Sequence, residues 1–155
     1  MPPIQQRCAA GRLVDNRQVT LPAPDAWPLY PDTRRCPCQS GETYGTCCGL
    51  YHRGDALAPT AERLMRSRYS AYVTGKHNYL LATWHPRTRP AELELDPDTR
   101  WFGLEILTRA DGGLLDTTGV VEFVARFRSE GVIGEQHETS RFVRENAAWL
   151  YLDGR

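Results

Sequence analysis

The spacing of apolar residues changes once along this chain, near residue 100. Before that point, Leu64, Met65, Tyr69, Tyr72 and Val73 recur at helical spacing. Pro59-Thr60-Ala61-Glu62 reads as the start of that helix, with a proline near the first turn and an acid inside it, and Gly75 fits its stop. A second, shorter helix is predicted over residues 78–84, ended by Pro86. Residues 87–99, with Pro90, Pro97 and several charges, read as a loop. From Trp101 onward the period is two, which predicts strands near residues 101–109, 119–128, 132–144 and 148–153. Asp111-Gly112-Gly113, Ser129-Glu130-Gly131 and Glu145-Asn146-Ala147 separate them as turns. Connections this short join antiparallel neighbours. Helices followed by a meander make residues 55–155 an α+β domain, with the helices packed on one face of an antiparallel sheet.

Upstream the pattern is different. Residues 1–33 hold Pro2, Pro3, Pro22, Pro24, Pro28 and Pro31 and read as a proline-rich extended arm. Trp27 and Tyr30 are expected to dock on the body, and residues 13–21 alternate weakly enough for an edge strand. Residues 34–54 contain four cysteines with Gly41, Gly45, Gly49 and Gly54 among them, a density that suits a loop wrapped around an ion.

Composition narrows the function classes. Of 155 residues, 41% are hydrophobic, enough for one globular domain. Nineteen basic and nineteen acidic side chains cancel, so the overall field does not favour nucleic acid or an anionic membrane. No run approaches a bilayer span, and residues 1–10 lack the pattern of a secretion signal. The expected compartment is the cytoplasm and no membrane partner is expected. There thiols stay reduced, and clustered cysteines bind metal more often than they pair.

The cluster reads Cys36-Pro37-Cys38, an eight-residue loop, then Cys47-Cys48. Two close pairs bridged by a short loop supply four thiolates for one tetrahedral zinc, a closed structural site. His52 is a reserve ligand. Two disulfides, free buried thiols or another thiophilic metal are the alternatives, although adjacent cysteines pair with each other only under strain. Cys8 stands apart as a free thiol on the arm.

This spacing, with Pro37, Ser40-Gly41, Tyr44 and Gly49, resembles the SEC-C motif, known as the zinc-binding tail of the SecA translocation motor, where it contacts a partner chaperone. The resemblance continues through Ala58 to Tyr72, Thr83-Trp84-His85-Pro86, Val124-Ala125-Arg126-Phe127, Ser140-Arg141-Phe142, Glu145-Asn146, Trp149, Tyr151 and Asp153-Gly154, which look like the YchJ family of uncharacterised bacterial proteins. It implies a nuclear-transport-factor-2-like cone, a curved sheet wrapped by helices around a pocket. Related cones dimerise through the outer sheet face, so a homodimer is a further expectation. Many members carry a second SEC-C motif, which is not found in this sequence, and the arm before Arg34 is longer than usual for the family.

A cone of that kind makes Tyr69, Tyr72, Trp84, His85, Trp101, Glu122, Glu138 and Ser140 candidate pocket residues, with His137 and Arg141 beside them. Glu138 next to Arg126 or His85 would form an acid–base pair. The competing reading makes the tyrosines core, His85 a helix-end residue and the Arg–Glu neighbours cross-strand ion pairs. No Ser-His-Asp order, phosphate loop or dinucleotide fingerprint occurs, and no catalytic residue is assigned. The favoured expectation is therefore a zinc-containing adaptor presenting a mildly basic knob, with Leu50 and Tyr51 outward, to a protein partner. The rival is a small-molecule binder or enzyme using the cone. A weaker alternative is nucleic-acid contact through Arg34, Arg35 and Arg53, or through Arg63, Arg66 and Arg68, of which Arg66 and Arg68 equally fit internal ion pairs with sheet carboxylates.

Overall fold

The structure, a computed structural model, describes residues 27–155. Its elements follow the order predicted above: α1 (Cys48–His52), α2 (Ala61–Thr74), α3 (His77–Ala82), β1 (Arg100–Asp111), β2 (Thr118–Ser129), β3 (Val132–Glu145) and β4 (Ala148–Gly154). Helix α1, in the cysteine segment, is one the apolar spacing does not show. The expected edge strand at residues 13–21 and Cys8 lie outside the described residues.

Local chemistry sets the ends of α2. The Thr60 hydroxyl accepts a hydrogen bond from the Arg63 N–H at 3.2 Å, filling one orphan donor of the first turn. Gly75 closes the helix in the left-handed region, φ 74°. A side chain there would also strike Trp27, whose ring lies 2.3 Å from the position a Cβ would take. Trp27 is thus docked, as expected. So is Tyr30, which meets Tyr44 edge-on at 5.1 Å and donates to the Arg35 carbonyl at 2.6 Å.

The four strands form one antiparallel sheet in the order β1-β2-β3-β4. The β3–β4 turn is only Asn146 and Ala147, at φ 51° and 66°, the backbone that continues the strand twist through a two-residue hairpin. Bulges between Trp101 and Gly103, Ile106 and Thr108, and Arg141 and Phe142 bend the sheet around the helices. Val121, Phe123, Ala125 and Phe127 of β2 point inward, as do Gln136, Glu138, Ser140 and Phe142 of β3. They meet Leu64, Met65, Tyr69, Tyr72, Leu80 and Trp84 from the helical layer. Fully burying a side chain such as Phe123 or Leu64 is worth about 1.5–3 kcal/mol, so this face holds the domain together. The outer face carries ion pairs instead: Arg126 with Glu105 and Glu135, both at 3.0 Å, His137 with Glu122 at 2.7 Å, and Arg141 with Asp153.

The segment after α3 pairs with the free side of β4. Tyr151 N–H donates to the Thr83 carbonyl and His85 N–H to the Tyr151 carbonyl, both at 2.8 Å. This fixes the chain between helix and loop directly against the sheet.

Candidate metal centre

Short backbone bonds fold residues 34–48 into one loop. Cys36 N–H donates to Glu42 O and Tyr44 N–H to Arg34 O, both at 2.8 Å, and Gln39 N–H turns back to Cys36 O at 3.2 Å. A single 3₁₀ turn, Tyr44–Thr46, then brings Cys47 and the first residue of α1, Cys48, onto the sulfurs of Cys36 and Cys38. Gly49 is required at that join, because a Cβ there would lie 2.6 Å from the Tyr44 carbonyl oxygen.

All four sulfurs are buried, belong to free cysteines and lie within 4.8 Å of one another. Cys38 and Cys47 Sγ are 3.6 Å apart, Cys47 and Cys48 Sγ 4.0 Å. A zinc–sulfur bond of ~2.3 Å in a regular tetrahedron requires sulfur–sulfur edges of about 3.8 Å. The set therefore fits a four-thiolate metal site, and the distances exclude disulfides in this arrangement. Outer partners are in place: Ser40 Oγ is 3.2 Å from Cys47 Sγ, Ser70 Oγ is 3.7 Å from Cys36 Sγ, and Arg63 Nη1 is 3.9 Å from Cys47 Sγ. Crowding splits the acidity of the four thiols. Contact with Cys36 is the leading cause that pulls Cys38 and Cys47 down, Cys47 to about 6. Cys36 is pushed up chiefly by Cys38, and Cys48 chiefly by Cys36.

His52 is not a fifth member of the set. Its Nε2–H donates to the Ser67 carbonyl at 2.8 Å, which leaves Nδ1 to accept from the Tyr44 hydroxyl at 2.6 Å. Burial holds the ring neutral, with its pKa lowered to about 4. His52 therefore ties the cysteine loop to α2, and it was the occupied ring nitrogens that the sequence did not show. The loop is tied at two more places. Arg66 Nη1 donates to the Cys38 carbonyl at 2.7 Å. The Gln39 amide donates to Phe102 O at 3.3 Å and accepts from Leu104 N–H at 3.4 Å, across the first bulge of β1. The loop is not a detached knob, and Leu50 and Tyr51 are half-buried rather than outward.

The structure sorts the candidate pocket residues into several places. Tyr69, Tyr72, Trp84, Glu138 and Ser140 are buried in the core. Glu138, 1% exposed, accepts from Ser140 Oγ at 2.9 Å and Tyr151 OH at 3.1 Å. Beside it lies Arg68, 0% exposed, between the rings of Trp84 and Tyr151 at 5.1 and 4.8 Å, and donating to the Leu80 carbonyl at 2.7 Å. Arg126 faces the other side of the sheet and His85 bonds Glu145 at 2.9 Å, so neither is the partner of Glu138 that was expected. Glu122 does not line the interior either; it sits outside, held by His137 and Thr108. Trp101 is half-buried against Tyr69, Tyr72 and Phe127. The sequence left Arg68 between phosphate contact and an interior position facing the sheet, and it is interior; its place on the Leu64–Met65–Tyr72 side of α2 was the available signal.

Of the arginines singled out for phosphate contact, Arg53 is bonded to Asp32 and Asp55, Arg63 faces Glu42, Arg66 pairs with Glu62, and Arg68 is buried. Arg34 and Arg35 have no ion-pair partner among the described residues.

Comparison with known proteins agrees with this layout. Residues 60–154 match the profile "YchJ, middle NTF2-like domain", and residues 35–50 match the SEC-C motif. The chain belongs to the YchJ family. A UPF0225 protein of Streptomyces coelicolor is 58% identical over 122 residues, 79% of this chain and 95% of the relative. A UPF0225 protein of Corynebacterium glutamicum is 48% identical, over 78% and 96%. Among solved structures, the SEC-C motif containing protein RPA3114 of Rhodopseudomonas palustris superposes with TM-score 0.67 at 32% identity, covering 77% of this chain and 96% of that one. A SEC-C motif containing protein from Psychrobacter arcticus gives TM-score 0.65, also at 32% identity, over 79% and 82%. The YchJ fold read above, a SEC-C loop followed by a nuclear-transport-factor-2-like domain, is thus shared with these proteins. No helix among the described residues is long and apolar enough to cross a membrane.

Proposed function

We propose that this YchJ family member is a zinc-binding interaction protein, in which the metal fixes a surface offered to a protein partner. The observation that carries the reading is the closed set of four buried sulfurs. A catalytic zinc keeps one coordination position for water or substrate, and four thiolates leave none. The ion would therefore hold Cys36, Cys38, Cys47 and Cys48 in place rather than activate a molecule. The packing inside the cone points the same way. Tyr69, Trp84, Phe123, Phe142 and Tyr151 fill it, and Glu138 is bonded to its neighbours instead of facing an open cavity. Around the loop, Glu42, Thr43, Thr46, Arg53 and Asp55 are exposed, with both charge signs represented. That surface suits a polar protein partner better than a phosphate backbone.

The test is metal content under reducing conditions, by native mass spectrometry, for the wild-type chain and Cys47→Ser. One zinc per wild-type chain and none in the variant is the expected result. A partner captured by the wild-type chain should then be released when the loop loses its metal. A wild-type chain that takes up no zinc would sink the reading.

A further inference from the structure

One cleft lies outside the cone interior, where the cysteine loop, the residues leading into it and the start of β1 meet. It encloses about 670 Å³, ample for a small organic ligand. Arg34, Arg35 and Arg100 stand on its walls with Trp27, Trp101 and Phe102. Among the described residues, no aspartate or glutamate lines it. The charge is left open: none of the three arginines has an ion-pair partner among the described residues, whereas Arg53, Arg66, Arg126 and Arg141 all do. Arg34 already holds its guanidinium 5.1 Å from the centre of the Tyr30 ring, at the wall of the cleft. Phe102, 49% exposed, offers an aromatic ring to whatever enters.

We infer that this cleft binds a nucleoside phosphate, with the base stacked on the aromatic wall and the phosphate held by Arg34, Arg35 and Arg100. Guanidinium groups match the planar, two-point geometry of phosphate oxygens, and aromatic side chains accept any base on their faces. The same chemistry is carried by a free mononucleotide and by the phosphorylated end of a nucleic-acid strand. At about 670 Å³ the cleft has room for one nucleotide, so the free molecule is the occupant assigned. The cleft shares Cys36, Pro37 and Gln39 with the cysteine loop, so it rests on that loop being in place, while its ligand is a different one from the protein partner proposed above.

Calorimetric titration of the full chain with AMP at low salt tests the assignment, with adenosine, inorganic phosphate and a 5′-phosphorylated oligoadenylate as companion probes. AMP should bind saturably, and at least tenfold more tightly than either adenosine or phosphate alone. Arg34→Gln combined with Arg100→Gln should weaken AMP at least tenfold, and Phe102→Ala several-fold. Both sites are exposed, so thermal unfolding of the variants should match the parent and separate lost binding from lost fold. Absence of saturable AMP binding, equal affinity for AMP and phosphate, or AMP binding indifferent to the variants would each overturn the proposal. So would an oligoadenylate that binds where AMP does not, since the ligand would then be a strand.

Discussion

His52 and Glu138 are both buried polar residues, and each makes a prediction. The His52 pKa, about 4 in the fold, lies below the ordinary ~6.5 of an unfolded chain. Between those values the unfolded state binds more protons. Stability is therefore fully present above pH 6.5 and falls as pH drops toward 4, by about 3 kcal/mol at the limit. Urea unfolding across this range should show a steeper loss for the wild type than for His52→Gln. Any metal the cysteine loop holds is common to both proteins, so the difference in slope isolates the imidazole. Glu138 shares the core with Arg68, whose guanidinium feels its charge. Glu138→Ala should destabilise the fold by about 3–5 kcal/mol, the usual result of leaving a buried opposite charge uncompensated. Equal denaturation midpoints for wild type and variant would refute that role.

At the scale of elements, the alternation after Trp101 carried nearly all of the sheet. The strands extend only one or two residues beyond their expected ends, because a period of two and glycine-bearing turns are visible in the sequence alone. Parity also grouped Val121, Phe123, Ala125 and Phe127 correctly against Glu122 and Arg126. It also placed Glu138 and Ser140 with Phe142 on one face of β3, and all three are buried; what parity could not give is the partners that make this tolerable, Ser140 and Tyr151 for Glu138. The cysteine loop was legible as a ligand set from spacing, while the docking of Gln39, Arg66 and His52 joins residues far apart in the chain and leaves no local pattern. Helix α2 gives a check on the local rules. Thr60→Ala should cost about 1 kcal/mol in thermal or urea unfolding, the value of one lost cap. Gly154→Ala probes a longer-range join, because a Cβ on β4 would lie 1.9 Å from Glu138 Oε1. It should destabilise more than Thr60→Ala, and an equal or smaller effect would show that the carboxylate can move aside.

Across the described residues, His52, Arg66 and Gln39 tie the cysteine loop to α2 and β1, so loop and cone are expected to unfold together. Chelation should therefore lower the unfolding midpoint of the entire chain and erase amide protection in the first half of β1 as well as in the loop. A chelated protein that keeps β1 protected would show that the two parts fold separately. The Gln39 side chain points to a consequence for solubility. Strand β1 is an outer strand of the sheet, and its unpaired backbone groups near Phe102 and Leu104 are matched by a side-chain amide that mimics a neighbouring strand. On the far side, residues 83–85 cover β4 in the same manner. If the proposed zinc holds the loop in place, a chain deprived of it would uncover a bare edge next to the exposed Phe102, a template for another chain to zip onto. Zinc starvation would then show as clumping of this protein.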